Sequence, residues 1–289
     1  NSIGLNFIDV YHRTGLYPIP LPSGIGLEAC GQIEEVGSEV SLFKVGDRVT
    51  HASMPIGAYS EKQVMPEEKL VSVPDGISDE VASCITLKGI TAEYLLHRAY
   101  PLKKGDKVLY HAAAGALGQI LCPWANALGA EVIGTVGSKA KEEVAKKNGC
   151  HHVINYSEKD FVKEVEKIVG KNGIDVVYDG VGTKTFKGSI ETLKIRGMMV
   201  AFGNASGYVD TLDIKKDINA KGLFFTRPSI AHYTVKREEL VESAKKVFDA
   251  ILTKKFTVEI SKKYSLEDAA QAHKDLEARL LTGPAVIIP

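Results

Sequence analysis

The sequence predicts an α/β protein organised on a doubly wound parallel sheet, with a smaller β-rich domain supplied by both ends of the chain. Three observations carry this. From residue 107 onward, short apolar runs alternate with amphipathic helical segments, the pattern of a parallel sheet wrapped by helices. Residues 1–85 instead carry short β-like runs broken by Gly and Pro. After Pro228, the runs FTVEI and AVIIP find no easy place in a parallel sheet that already counts six strands. They are expected to return to the first domain. The expected division is a first catalytic segment over 1–87, a dinucleotide-binding domain over 88–229 and a second catalytic segment over 230–289.

Taken in order, QIEEVGS, DRVTHAS and KLVSVPDG read as the first domain's strands, with Gly46 and Asp47 as a turn feeding Val49. Near Ser78 the pattern becomes helical, and DEVASCITLKGITAEYLLHRAY spaces its apolar residues at three and four. Lys107–Ser138 then reads strand, tight turn, helix, strand. The following segments alternate: helix SKAKEEVAKKNG, strand HHVINY, helix DFVKEVEKIVG, strand IDVVYDGVG, helix KTFKGSIETLK, and strands GMMVAFGN and GLFFTRP. Beyond Pro228 come helix REELVESAKKVFDAILTKK, strand VEISKKYS, helix LEDAAQAHKDLEARL and strand AVIIP.

The turn after the first of these parallel strands, Ala112 to Gly118, fits Ala-x-Gly-x-x-Gly, a dinucleotide fingerprint with Ala113 in place of the first glycine. Gly115 lets backbone approach a pyrophosphate. Gly118 lets the helix pack closely on the strand, and the helix N-terminus offers free N–H groups to phosphate. In an open parallel sheet, ligands bind outside the carboxyl ends of the strands. Candidate contacts therefore lie at Gly115, Gly137, Asn155-Tyr156, Asp179–Gly182 and Phe202-Gly203-Asn204. NAD sites usually carry a carboxylate about 20 residues beyond the glycines. Here that region is Val136-Gly137-Ser138-Lys139-Ala140-Lys141, whose hydroxyl and lysines suit the 2′-phosphate of NADPH. Ser138 also stands where it would cap the next helix, and both readings hold together.

Composition excludes several classes. With 36 Lys+Arg against 36 Asp+Glu, no net field draws the molecule to nucleic acid or to an anionic membrane. No apolar run is long enough to span a bilayer. Cys30, Cys84, Cys122 and Cys150 are scattered without CxxC spacing, which argues against a disulfide framework or zinc knuckle and suits the reducing cytoplasm. The chain opens at Asn1 without Met, which leaves a removed targeting peptide open. Cys150-His151-His152 stands at a strand entry and is not read as a metal site. His12, His51, His97, His111, His232 and His273 show no triad or ligand logic and read as packing or surface residues.

Several stretches together carry a family likeness: Asn6-Phe7-Ile8-Asp9-x-Tyr11, Gly15-Leu16-Tyr17-Pro18, Gly26-x-Glu28-Ala29-x-Gly31, Val45-Gly46-Asp47-Arg48-Val49, Ala112 to Gly118, Asn155-Tyr156, Asp179-x-Val181-Gly182, Phe202-Gly203-Asn204 and Arg227-Pro228. The chain resembles the medium-chain dehydrogenase/reductase superfamily, and within it the zinc-free, ζ-crystallin-like quinone oxidoreductases. The resemblance implies a Rossmann-type cofactor domain and a discontinuous, β-rich GroES-like catalytic domain. Typical members carry further opening strands ahead of the position of Asn1.

It also implies roles. Asn6, Tyr11 and Tyr17 line a cleft near the nicotinamide, with Asn6 donating to a quinone oxygen and Asp9 a structural partner. Gly115, Ala116, Leu117 and Gly118 hold the pyrophosphate. Ser138, Lys141 and Tyr156 hold the 2′-phosphate and adenosine, beside Gly137. Thr91, Phe202, Gly203 and Asn204 flank the nicotinamide ribose, and Arg279 lies close to the cofactor. GLFFTRP pairs with its mate in a homodimer.

Departures from the family pattern are informative. Zinc-dependent members have His where this chain has Leu27, and an apolar side chain cannot ligate a metal. Their four-cysteine lobe is absent. Ala116 replaces a usual glycine, and Glu93 stands where bacterial relatives often have Tyr. The implied activity is NADPH-dependent hydride transfer to a quinone without zinc. An NADPH-dependent reductase of α,β-unsaturated carbonyls or enoyl thioesters shares the fold and stays open. A crystallin-like or RNA-binding role has little support, given the neutral charge and no aromatic-rich basic motif.

Overall fold

The computed structural model describes residues 1–289. It divides into two units, residues 1–91 with 230–289, and residues 92–229. The first opens with β1 (Ser2–Gly4), α1 (Phe7–Arg13), β2 (Glu28–Gln32), β3 (Arg48–Ala52), β4 (Val71–Ser72) and most of α2 (Asp79–Tyr94). The second holds β5 (Lys107–His111), α3 (Gly118–Ala127), β6 (Glu131–Val136), α4 (Lys139–Lys147), β7 (His152–Asn155), α5 (Phe161–Val169), β8 (Ile174–Asp179), α6 (Phe186–Thr192), β9 (Leu193–Ala201) and β10 (Phe224–Thr226). The chain re-enters the first unit with α7 (Ile230–Tyr233), α8 (Arg237–Leu252), β11 (Lys262–Ser265), α9 (Ala269–Glu277) and β12 (Ala285–Ile288).

In the second unit all pairings are parallel and the strand order is β10-β9-β8-β5-β6-β7. Val108, Leu109, Val132, Ile133, Val176 and Val177 are fully buried, as continuous apolar runs of a sheet covered on both faces must be. The order turns around at β5, which lies between β8 and β6. A ligand crevice belongs at that switch point, at the carboxyl ends of the strands.

The first unit's sheet runs β11-β12-β1-β2-β3-β4. AVIIP does return to the first domain: Ile287 pairs with Ile3 and Val286 with Gly4, antiparallel. Along α2, Ala82, Cys84, Ile85 and Ile90 are fully buried. Gly89 leaves room on that helix for Val247 of α8.

Two expected strands are corrected. Only Gln32 of QIEEVGS lies in a strand, because the true strand, EACGQ, pairs with β3 over Glu28–Gln32 while Glu34, Glu35 and Val36 are exposed with no buried face. FTVEI buries Phe256 but gains no ladder partner, and the pairing passes to Lys262–Ser265, which runs parallel to β12. Leu193 and Lys194, read as the end of a helix, belong with Ile195 and Arg196 to β9.

Candidate functional site

In the second unit the predicted turn is built as the small residues require. A Cβ on Gly118 would overlap the carbonyl of Ala113, so only glycine lets α3 start there. Ala113 in turn packs over Gly134 of β6, where a Cβ would come within 2.6 Å of Ala113 Cβ and of Cys150 Sγ. Asn148 donates to the Ala113 carbonyl at 2.9 Å. The left-handed residue of the turn is Ala112, at φ 63°, one position before the alanine that replaces the first glycine. A non-glycine residue in that region costs roughly 1–2 kcal/mol, so the turn stores strain. Leu117 is the N-cap of α3 and supplies no side-chain acceptor. No side chain caps this helix start, although the amides of Gln119 and Ile120 already donate to the carbonyls of Gly115 and Leu117 at 3.1 and 3.0 Å.

The neighbouring strand ends add the rest. Ser138 occupies the N-cap position of α4 but makes no capping bond with its side chain, which frees the hydroxyl from the structural task. Tyr156 lies across Gly137, where a Cβ would be 2.6 Å from its hydroxyl. Ser157 Oγ donates to the Gly137 carbonyl at 2.6 Å. Lys141 is half-buried on the first turn of α4. On the other side of β5, Asp179 ends β8 and its carboxylate accepts from the amides of Val181 and Gly182 at 2.8 and 3.0 Å. The Phe202 ring lies over Gly180, and Gly203 sits where any side chain would strike the backbone of Gly180. Asn204 is 5% exposed. Gly115 to Gly118, Gly137, Ser138, Lys141, Tyr156 and Phe202 to Asn204 therefore all stand at the carboxyl ends of this unit's strands.

In the first unit, Asn6 is the N-cap of α1 and is 4% exposed. Its amide nitrogen donates to Glu28 Oε2 at 2.8 Å and, less closely, to the Gly4 carbonyl at 3.3 Å. Its oxygen accepts from Lys88 Nζ at 2.6 Å. Donation to an acceptor oxygen thus requires exchange of one of these bonds. Glu28 is fully buried and accepts from the Leu87 amide at 2.6 Å. Burial pushes its carboxyl above the usual range, opposed by Lys88.

Asp9, also fully buried, accepts from the Asn6 amide at 2.9 Å and from Tyr59 Oη at 3.1 Å through one oxygen, while Oδ1 has no partner. Burial raises its pKa to about 7. Beyond it, Tyr59 meets His273 Nε2 at 3.0 Å, and Arg13 lies 3.1 Å from His273 Nδ1 and pairs with Glu277 at 2.8 Å. Arg13 can only donate, so His273 accepts at Nδ1 and carries its hydrogen at Nε2.

Tyr11 and Tyr17 are half-buried and pack edge to face at 5.1 Å, brought together as the chain leaves α1. Thr91 donates its hydroxyl to the Leu87 carbonyl at 2.7 Å, one turn back in α2. Arg279 follows α9 as an exposed residue at φ 59°. Glu93 is fully buried and paired with Arg98 at 2.9 Å, where a tyrosine would need no cation. Lys88, Tyr59, His111 and His273 are polar-cluster residues that motif reading passed over. Only Glu28, inside the quoted Gly-x-Glu stretch, left a trace in the sequence.

Comparison with known proteins adds the family. The alcohol dehydrogenase GroES-like domain model matches residues 1–75 and the zinc-binding dehydrogenase model residues 116–251. The quinone oxidoreductase of Pseudomonas aeruginosa is 45% identical over 289 residues, covering 100% of this chain and 89% of that protein. This chain belongs to the quinone oxidoreductase family of medium-chain dehydrogenases. Within that family, the crystal structure of the Escherichia coli quinone oxidoreductase complexed with NADPH superposes with a TM-score of 0.96 at 45% identity, covering 100% of this chain and 89% of that one. A 2-haloacrylate reductase of Burkholderia sp is also 45% identical, again over 100% of this chain and 89% of its own length.

The name of the second domain model raises a metal, which the donor set does not fit. Leu27 is buried hydrocarbon, the four cysteines are buried free thiols of which Cys122 and Cys150 are neighbours, and no group of three or more His, Cys, Asp or Glu is arranged to hold an ion. The uncapped start of α3 and the Gly118 close approach do fit a dinucleotide.

Proposed function

We propose that this chain is an NADPH:quinone oxidoreductase that works without zinc. The observation that carries the reading is full-length 45% identity to quinone oxidoreductases, joined to a phosphate-type turn whose helix start is left uncapped. NADPH, when bound, supplies the hydride to an acceptor that is already electrophilic, and a proton from solvent completes the hydroquinone. The chain's own task is placement. Gly115, Ala116, Leu117 and Gly118 hold the pyrophosphate. Ser138, Lys141 and Tyr156, beside Gly137, hold the 2′-phosphate and adenosine. Thr91, Phe202, Gly203, Asn204 and Arg279 serve the remainder of the cofactor. Tyr11 and Tyr17 stack on or donate to the acceptor, and Asn6 sets the entry to the helix that carries Tyr11.

A second reading is favoured by one observation, the equal identity to a 2-haloacrylate reductase. In it the acceptor is an activated alkene. The test is NADPH consumption with ortho- and para-quinones beside 2-alkenals, enoyl thioesters and 2-haloacrylate. Turnover with quinones alone supports the first reading, turnover with alkenes alone supports the second, and tight NADPH binding with no turnover overturns both. A homodimer is part of the proposal: Phe224 is 60% exposed on β10, an edge strand, with Phe225 beside it. Light scattering at micromolar concentration that gives the mass of one chain would overturn that part.

A further inference from the structure

A buried polar chain runs beneath the proposed cofactor loops and takes no part in the reading above. His111, the last residue of β5, is 1% exposed. Its Nδ1 lies 2.8 Å from Thr135 Oγ1 on β6, and its Nε2 lies 2.9 Å from Ser189 Oγ on α6. Ser189 donates to Asp179 Oδ2 at 3.2 Å, and Thr185 donates to the same oxygen at 2.7 Å. The other carboxylate oxygen accepts from the Val181 and Gly182 amides, and the Asp179 carbonyl accepts from the Phe202 amide at 2.9 Å.

The direction of the chain follows from its acceptor end. The Asp179 carboxylate only accepts, and a hydrogen bond to a charged oxygen outweighs the competing one from Ser189 to the Thr185 carbonyl at 2.9 Å. Ser189, having given its proton to Asp179, accepts from His111 Nε2–H, and Nδ1 accepts from Thr135. Burial keeps the imidazole below the ordinary histidine range against the pull of Asp179, so the neutral ring with one donor and one acceptor matches its two neighbours. Immediately after His111 comes Ala112, the strained residue that opens the pyrophosphate turn. A strained residue holds its conformation only where its surroundings over-determine it.

We infer that His111 is a positioning residue for the cofactor: through Thr135 on one side and Ser189–Asp179 on the other, it fixes the turn at Ala112–Gly118 relative to the Val181–Gly182 and Phe202–Asn204 loops. It touches no ligand. Its effect is preorganisation, since loops already held in the bound arrangement lose less freedom when NADPH arrives. The inference rests on the NADPH reading.

The experiment compares His111→Phe and Ser189→Ala with the unaltered chain. His111→Phe keeps a ring of similar size against Phe161, whose centroid is 5.1 Å away, and removes both hydrogen bonds. Ser189→Ala is the milder change should the first variant fold poorly. Calorimetric Kd values are measured for NADPH, which spans the linked loops, and for adenosine 2′-phosphate, which lacks the pyrophosphate and nicotinamide. Ser189→Ala is expected to weaken NADPH about tenfold, the scale of one lost buried hydrogen bond, and His111→Phe, which loses two, at least as much. Adenosine 2′-phosphate should stay within about twofold. His111→Gln, which keeps one donor and one acceptor, should recover part of the NADPH loss. Equal losses for both ligands would mean general damage and overturn the inference, as would unchanged NADPH affinity in both variants. An unaltered chain that binds no NADPH would instead overturn the cofactor reading, and the inference with it.

Discussion

Lys88 Nζ donates to Asn6 Oδ1 at 2.6 Å and stands 3.6 Å from the buried Glu28 carboxyl, so one ammonium both orients the amide that opens α1 and opposes the effect of burial on that carboxyl. Glu28 reaches the Asn6 amide nitrogen from the opposite side, which leaves one orientation of that amide consistent with its neighbours. Removing one partner of such a pair leaves the other unmatched.

Lys88→Met is therefore expected to destabilise the protein by about 3–5 kcal/mol, the cost of an uncompensated buried charge. Lys88→Met combined with Glu28→Gln should regain much of that loss, because no charge remains to be paired. Urea denaturation of the three proteins at neutral pH measures it. A double variant no more stable than the single one would show that Lys88 acts by packing and not by charge.

Asp9 leads to a pH dependence with a definite sign. Its folded pKa, about 7, is above the unfolded carboxyl value, so the folded state binds the proton more tightly. Its stabilising contribution is complete below about pH 4 and is lost as pH rises to about 7, roughly 4 kcal/mol across the window as an upper bound. The groups facing it are Tyr59, Lys88 and Glu28. Asp9→Asn cannot titrate, so the difference in stability between the two proteins should change across this interval and be flat above it. Melting curves at half-unit pH steps would show the effect. Parallel curves for the two proteins would place the buried proton elsewhere.

What the sequence revealed and what it hid follow from range. IDVVYD was legible because a strand covered on both faces needs an apolar run, and the turn at Gly115–Gly118 was legible because close approach demands small residues. QIEEVGS and FTVEI misled because β-propensity is local, whereas a strand exists only where a partner pairs with it. Asn6 shows the same limit at the site: its partners lie 22 and 82 residues away, and nothing in Asn-Phe-Ile-Asp foretells that its amide is spent inside the unit. His111 and His273 looked like plain packing histidines for the same reason, since their polar partners, Thr135 and Ser189 for the first and Tyr59 and Arg13 for the second, lie on other elements. Even in the legible turn, the left-handed residue is Ala112, which the motif did not single out.

The two glycines of that turn should differ in consequence. A Cβ on Gly118 would overlap the Ala113 carbonyl, whereas one on Gly115 would stand 3.1 Å from the Ala112 oxygen, which a small shift relieves. Gly118→Ala should lower stability by about 1–3 kcal/mol, the usual scale of overpacking, and weaken NADPH binding at least tenfold. Gly115→Ala should leave stability nearly unchanged and, if the proposed pyrophosphate site is right, act mainly on NADPH. Thermal melts with and without NADPH separate the two effects. Equal destabilisation by both substitutions would contradict the packing seen at Gly118.

In the proposed function, Lys141 sets which cofactor is preferred. It is half-buried on α4 beside an N-cap serine whose side chain does not cap the helix, and the proposal assigns it to the 2′-phosphate, in the region where an NAD site would carry a carboxylate. A hydrogen bond to a charged partner contributes about 1.5–3 kcal/mol, so Lys141→Ala should weaken NADPH binding by roughly 10- to 100-fold. NADH has no 2′-phosphate, and its affinity should stay within about twofold. Ser138→Ala should act in the same direction and less, since a neutral donor is lost in place of a charge. Fluorescence titration with the two cofactors gives both constants for each protein. Equal losses for NADPH and NADH would mean that the substitution disturbs α4 as a whole, and the 2′-phosphate contact would then have to come from other residues at the ends of β6 and β7.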